Sequence, residues 1–361
     1  MEHDKKIKVG ITHGDINGIG YEVLLKALGD TRITELCTPV VYGSAKIANY
    51  YRKGMELPEF KLFQIDSPDS AAPDEINIIN VVGEDCKLDP GQPTTNGGKA
   101  ALAALERAVS DLRDGLIDVL VTAPINKKTI HSDDFNFPGH TEYLQERLGE
   151  GRQAMMIMCA EGLRVALVTI HEPISNVAAA LTSQEITEKI IAFSRSLVED
   201  FGIHGPRIAV LSLNPHAGDG GIIGNEETDI ITPAIDEAMK RKVLAFGPYA
   251  ADGFFGSGNY TKFDGVLAMY HDQGLIPFKV LAGEHGVNFT AGLPYVRTSP
   301  DHGTAYDIVG QGKADEQSMR EAIYSAIDIY RNRRREAAAT SNPLRRQSYD
   351  KGNDKLPVEK A

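Results

Sequence analysis

The chain reads as an α/β protein built on a mainly parallel sheet with helices on both faces, and three observations carry that reading. Short runs of Val, Ile and Leu recur without alternation, as at 117–122 (IDVLVT) and 208–213 (IAVLSL); strands buried on both faces read this way. Segments of helical period separate these runs, as in successive βαβ units. Several runs also deliver polar residues at their ends, where the ligand crevice of an open α/β sheet lies.

In order, 6–12 (KIKVGIT) predicts a strand, 13–20 (HGDINGIG) a glycine loop and 21–28 (YEVLLKAL) a helix. The glycines fall as GxxxGxG, not as the GxGxxG of a dinucleotide fold, so the loop reads as a tight turn rather than a phosphate cradle. A strand near 39–42 opens into a helix at Ser44, and another strand covers 76–82. Turn formers crowd 89–98 (DPGQPTTNGG) before a long helix over 98–114. The strand 117–122 ends at Asn126 and Lys127, and Thr141 is the expected N-cap of a helix inside 132–148.

Strands follow at 154–158 and 164–170, then a helix over 183–201. His171 stands after 164–170, His216 after 208–213 and His271 after the run 266–269, so three strands end in three histidines. Gln273-Gly274 is expected to break the segment that carries Lys279, and Asp252 to sit in a glycine-flanked loop. A final helix spans 316–330, beyond which a polar, basic text predicts a frayed end and a disordered tail over 336–361. The expected division is 1–130 with 305–335 as one α/β/α domain and 131–304 as a second.

Totals narrow the partners. A net charge of −12 without a basic stripe in the folded body argues against nucleic acid. No apolar segment reaches the length of a membrane span, and the start lacks a signal peptide's apolar run, so a cytoplasmic protein is expected. Cys37, Cys86 and Cys159 are odd in number and widely spaced. They read as buried thiols in a reducing compartment.

Three imidazoles suit a divalent transition ion such as zinc or cobalt, whereas carboxylate-rich sites favour magnesium. The HExxH spacing is absent, so any such site is assembled from distant loops. Asp219 and Asp272 stand beside these histidines as supporting or basic groups. Lys279 and Arg297, with Asn288, His140 and Thr141, suit an anionic substrate, Arg through its planar fork and Lys as a point charge.

The segments VTAPINK (121–127), PGHTEYL (138–144), LNPHAGDGG (213–221), YHDQGLIPFK (270–279) and the block 286–310 together resemble the 4-hydroxythreonine-4-phosphate dehydrogenase family of pyridoxal phosphate biosynthesis. The resemblance extends to about residue 330 and implies an isocitrate/isopropylmalate dehydrogenase-like architecture. It also implies a homodimer with active sites at the subunit interface, and NAD or NADP as hydride acceptor. His171, His216 and His271 would hold one divalent cation (Zn, Co or Mg) per subunit, His271 coming from the partner subunit. His140, Thr141, Lys279, Asn288 and Arg297 would bind the phosphorylated substrate, and Asp252 or Asp272 would transfer a proton. The implied reaction oxidises 4-phosphooxy-L-threonine at C3 and decarboxylates the product to 3-amino-2-oxopropyl phosphate. HGDINGIG departs from the family's usual first loop, Pro-Gly-Glu-Pro-Ala-Gly-Ile-Gly, at His13 and Asp15, and the loop after Asp252 differs too. Rival expectations are an oxidative decarboxylase of threonate or erythronate 4-phosphate, a metal-dependent hydrolase, and a non-catalytic binding protein.

Overall fold

A computed structural model describes residues 6–57, 60–83, 85–132 and 135–342. Twelve strands form one continuous sheet. In chain order they are β1 (Ile7–Thr12), β2 (Cys37–Gly43), β3 (Leu62–Gln64), β4 (Ile76–Asn80), β5 (Val119–Thr122) and β6 (Met155–Ala160). The second six are β7 (Leu163–Leu167), β8 (Arg207–Leu211), β9 (Leu244–Tyr249), β10 (Gly265–Ala268), β11 (Val287–Ala291) and β12 (Arg297–Pro300). Their order across the sheet is β3-β4-β2-β1-β5-β12-β11-β6-β7-β10-β8-β9. Only β12/β11, β11/β6 and β6/β7 pair antiparallel, so the mainly parallel expectation holds.

The antiparallel pairs sit at the centre and reverse the sense of the sheet. Each flank is a parallel run whose inner strands are buried on both faces, as β2, β5 and β10 are at every position, whereas the edge strands β3 and β9 are partly exposed. The helix Gln317–Thr340 lies across β12, β5 and β11, where Ala322, Ile323, Ala326 and Ile327 are buried. The expected domain boundary at 130/131 falls between β5 and β6, and the two halves share the sheet through the β12/β5 pairing. Cys37 and Cys159 are buried free thiols as expected, whereas Cys86 is only half-buried.

Four local expectations are corrected. Gln273-Gly274 does not interrupt anything, because a helix runs from His271 to Ala282. Gly274 is needed there for closeness: a Cβ would meet Leu167, Val165 and Ala268 at 2.7 to 3.0 Å, so the helix packs hard on β7 and β10. Thr141 is not the cap; the helix His140–Leu148 begins one residue earlier, after Gly139, without a side-chain cap. Asp252 lies in the short helix Ala251–Gly256, not in a loop. The last helix continues through Thr340 instead of fraying at 331, because Arg333 pairs with the buried Asp200 at 2.6 Å and donates to the Leu293 and Pro294 carbonyls. The remainder of the expected tail, from 343, lies outside the described residues.

The first glycine loop is a clasp. Asp15 accepts from Tyr306 Oη at 2.7 Å and from Thr129 Oγ1 at 3.3 Å, Asn17 reaches Thr94, and Ile19 N–H donates to the Thr304 carbonyl. Beside it, His13 is wholly buried and stacks on Tyr21, which stacks on Tyr51. Among the described residues neither His13 ring nitrogen makes a well-formed hydrogen bond, and the main chain of Gly14 and Ala100 offsets its burial only in part. Burial therefore holds its pKa down to about 4.

Two outcomes follow. The unfolded chain takes up the His13 proton near pH 6.5 while the folded chain resists it to about 4, so stability falls with pH across that window. His13→Phe, which keeps the stack, should lose about 3 kcal/mol less than the wild type there, as measured by denaturant titrations at both ends. Gly98→Ala should lower the thermal midpoint by several degrees. The added methyl gains about 1 kcal/mol of helix propensity. It also overlaps the Thr129 main chain, which cannot rotate away, at a cost of roughly 1–3 kcal/mol or more.

Candidate active site

β12 begins with Arg297, only 2% exposed. Its Nε and Nη2 donate to Thr122 Oγ1 at 3.1 and 2.6 Å, and its Nη1 donates to Thr290 Oγ1 at 3.0 Å. Among the described residues no carboxylate stands within ion-pair distance of it. Burial lowers its pKa to about 9, partly offset by Glu142, so the group is cationic at neutral pH and lacks a paired anion. A buried charge in that condition is costly unless a ligand supplies the counter-charge.

Arg297 lines a cavity of about 210 Å³ with His140, Thr141, Glu142, Lys127, His171, Asn288, Ser299 and His302. Three buried polar atoms facing this space have no partner: His140 Nε2, Asn288 Oδ1 and His302 Nε2. Unsatisfied buried groups are rare, and three around one cavity mark a place for a polar ligand. The helix His140–Leu148 starts at the cavity wall with no side-chain cap, leaving its first N–H groups and positive dipole end to an anion. Burial, and then Arg297 and Lys127, hold His140 well below the usual imidazole range, so it stays neutral. Burial also lowers His302.

Four of the five expected substrate residues thus meet: His140, Thr141, Asn288 and Arg297. Lys279 does not line the cavity. Its Nζ is tied to Asp301 Oδ1 at 2.9 Å and to the Asp301 carbonyl at 3.0 Å, directly before His302. Lys127, Glu142 and His302 were not singled out from the sequence for this role. Lys127 and Glu142 lie in the quoted VTAPINK and PGHTEYL segments, and His302 in the block 286–310.

The three expected metal ligands follow the ends of β7, β10 and β8, adjacent parallel strands whose C-terminal ends share one edge. The rings of His171 and His271 approach to 6.4 Å between centroids. Each has a carboxylate at Nδ1: Glu142 Oε1 at 3.7 Å for His171, and Asp272 Oδ1 at 2.7 Å for His271. The Asp272 bond fixes the His271 tautomer and frees Nε2 for a metal, whereas Glu142 stands beyond hydrogen-bond distance of His171 and acts on it by charge alone. His216 does not complete the set within one chain. Among the described residues no group of three His, Cys, Asp or Glu side chains is placed to hold a metal.

The loop of His216 is held under strain. His216, Ala217 and Asp219 have φ of 52°, 53° and 45°, within a left-handed turn that includes Gly218 and Gly220. Such a conformation costs a non-glycine residue roughly 1–2 kcal/mol. Glu227 anchors the turn, accepting from Leu213 N, Asn214 N and Asn214 Nδ2 at 2.8, 2.7 and 3.0 Å.

Asp252 and Asp272 line a second, more apolar cavity of about 580 Å³ with Asn214, Tyr270 and Gln273. His271 and Asp272 link the two cavities: the ring contacts His171 of the first while Asp272 faces the second. Gln273 braces the arrangement from the helix start, accepting from Met269 N–H and donating to the Ser212 carbonyl. In the first glycine loop, Gly18 and Gly20 are needed for close packing: a Cβ at Gly18 would meet the Thr304 carbonyl and one at Gly20 the His13 carbonyl.

The chain matches the family described as Pyridoxal phosphate biosynthetic protein PdxA over residues 35–326. It is 56% identical over 351 residues to the 4-hydroxythreonine-4-phosphate dehydrogenase of Bacteroides thetaiotaomicron, covering 97% of this chain and 96% of that one. The enzyme of the same name from Prosthecochloris aestuarii is 44% identical, over 89% of this chain and 97% of its own. Among solved structures, that of 4-hydroxythreonine-4-phosphate dehydrogenase from Klebsiella pneumoniae superposes with a TM-score of 0.79 at 35% identity, covering 91% and 99% of the two chains. A terephthalate 1,2-cis-dihydrodiol dehydrogenase from Burkholderia xenovorans LB400 superposes with a TM-score of 0.59 at 26% identity, over 89% and 98%. The chain is therefore an oxidoreductase on an α/β scaffold. It belongs to the Pyridoxal phosphate biosynthetic protein PdxA family, whose curated relatives are named 4-hydroxythreonine-4-phosphate dehydrogenases.

If Arg297 is the anion's main partner, Arg297→Ala should weaken inorganic phosphate binding by roughly ten- to a hundredfold in isothermal titration, the loss expected for charged hydrogen bonds. Unchanged affinity would remove it from the site.

Proposed function

We propose that this protein oxidises 4-phosphooxy-L-threonine at C3 with NAD or NADP as hydride acceptor, and that the resulting β-keto acid loses carbon dioxide to give 3-amino-2-oxopropyl phosphate. The observation that carries the reading is the buried Arg297 without a carboxylate partner, in a cavity sized for a small anion. The phosphate is read as lying against Arg297, Lys127, His140 and the open helix start after Gly139. Thr141 and Asn288 are read as hydrogen-bonding partners of the same substrate.

Anchoring the phosphate end fixes where C3 stands, which converts remote binding into orientation of the reacting carbon. His171, His216 and His271 would hold the divalent cation, with one of them supplied by the partner subunit of a homodimer. Held there, the cation would supply Lewis-acid chemistry, lowering the pKa of the C3 hydroxyl and polarising the ketone that replaces it. Asp272 keeps the His271 ring in one tautomer through Nδ1, and Asp252 is assigned the proton transfer. Lys279 would act through Asp301, which holds the segment bearing His302. No residue of this chain is assigned to the nicotinamide.

Threonate or erythronate 4-phosphate is the second reading, favoured by the same phosphate-binding side chains. Purified protein should form NADH from 4-phosphooxy-L-threonine, lose that activity to a chelator and regain it with zinc or cobalt. His216→Ala should abolish metal binding and turnover with an unaltered circular dichroism spectrum. Full activity in the presence of chelator would refute the metal assignment.

A further inference from the structure

The substrate cavity contains one residue that works against an anion. Its charged side chains are Lys127 and Arg297, both cationic, and Glu142, its sole carboxylate. Glu142 stands in the first turn of the helix His140–Leu148 with its side chain 36% exposed. Its Oε1 is 3.7 Å from His171 Nδ1, its Oε2 lies over the start of the helix near Gly139, and the Lys127 side chain approaches the same point and adds to the pull that lowers the Glu142 pKa. A negative charge here opposes the phosphate that the rest of the cavity attracts. It makes sense as the partner of a positive charge on the same ligand.

The two candidate substrates differ in that feature. 4-Phosphooxy-L-threonine carries an ammonium on C2, and its sugar-acid counterpart carries a hydroxyl there. C2 is bonded to C3, the carbon to be oxidised, and the phosphate is on C4. The cavity offers both signs: Glu142 stands 3.7 Å from His171, and Arg297 and Lys127 supply the positive charge. Resting on the reaction proposed above, we propose that Glu142 receives the C2 ammonium of the substrate and thereby selects the amino-acid phosphate over the sugar-acid phosphate.

A neutral hydroxyl would bring the carboxylate no charge to offset the nearby phosphate, which penalises the wrong substrate as well as rewarding the right one. The opposing account is that Glu142 only orients His171. That role would affect both substrates alike, because both present the same C3 hydroxyl.

The test compares kcat/KM of the full-length wild type, Glu142→Gln and Glu142→Ala for 4-phosphooxy-L-threonine and for 4-phosphothreonate, with bound metal measured in each. The wild type should prefer the amine. In Glu142→Gln the amine substrate should lose roughly ten- to a hundredfold, mainly through KM, the size expected for a charged hydrogen bond. The hydroxy acid should change by less than about threefold, so that the preference collapses. Inorganic phosphate should bind the variant more tightly than the wild type, since a like charge has been removed, and this readout needs no turnover. Equal losses for both substrates, or a loss of bound metal that accounts for them, would overturn the inference and leave Glu142 as a support for His171. A wild type that is active with the amine and whose variants keep its preference overturns the inference alone. A wild type that oxidises neither compound overturns the proposed reaction, and this inference with it.

Discussion

A guanidinium enclosed by protein and answered by two threonine hydroxyls is the constraint around which the cavity is arranged. Arg297 keeps its charge at neutral pH despite its burial, and among the described residues no carboxylate stands within ion-pair distance of it. Thr122 closes β5 and Thr290 lies in β11, so both hydroxyls are fixed by the strands on either side of β12. The fork is thus aimed by backbone rather than by side chains free to turn. A carboxylate partner would have made the same residue more stable and less available. Rigid placement of an unanswered charge is the arrangement that favours a ligand able to answer it.

Much of this was legible in the text of the chain, for physical reasons. Parallel strands buried on both faces must be apolar throughout, so they stand out as runs, and the residues that follow them are placed by topology. His171, His216 and His271 followed from that rule alone. The helix beginning at His271 did not, because Gly274 looks like a breaker until β7 and β10 are seen pressed against it. Thr141 has the chemistry of a cap, yet the helix starts before it, with Gly139 leaving its end open. Glu142 passed unnoticed since a glutamate in a first helical turn usually needs no explanation beyond the macrodipole. Lys279, a lysine in a marked motif, lies outside the cavity of its own chain, with its ammonium on Asp301.

The scaffold itself does not choose the substrate. A terephthalate 1,2-cis-dihydrodiol dehydrogenase shares it at 26% identity, and fold alone is a weak guide to chemistry. What separates the readings is the balance of charge around a small space. The strained turn that carries His216 belongs with these features. Backbone held in a sparsely populated region persists only where its surroundings over-determine it, and Glu227 does so here.

The clasp of the first loop reaches further than its position in the chain suggests. Thr304 and Tyr306, which Ile19 and Asp15 grip, come directly after His302 at the cavity rim. The stiffness of that rim is therefore borrowed from the amino-terminal turn, where this chain spells HGDINGIG in its own way. Relatives that differ in those few letters can alter how firmly the far wall of the cavity stands without touching any group that meets a ligand.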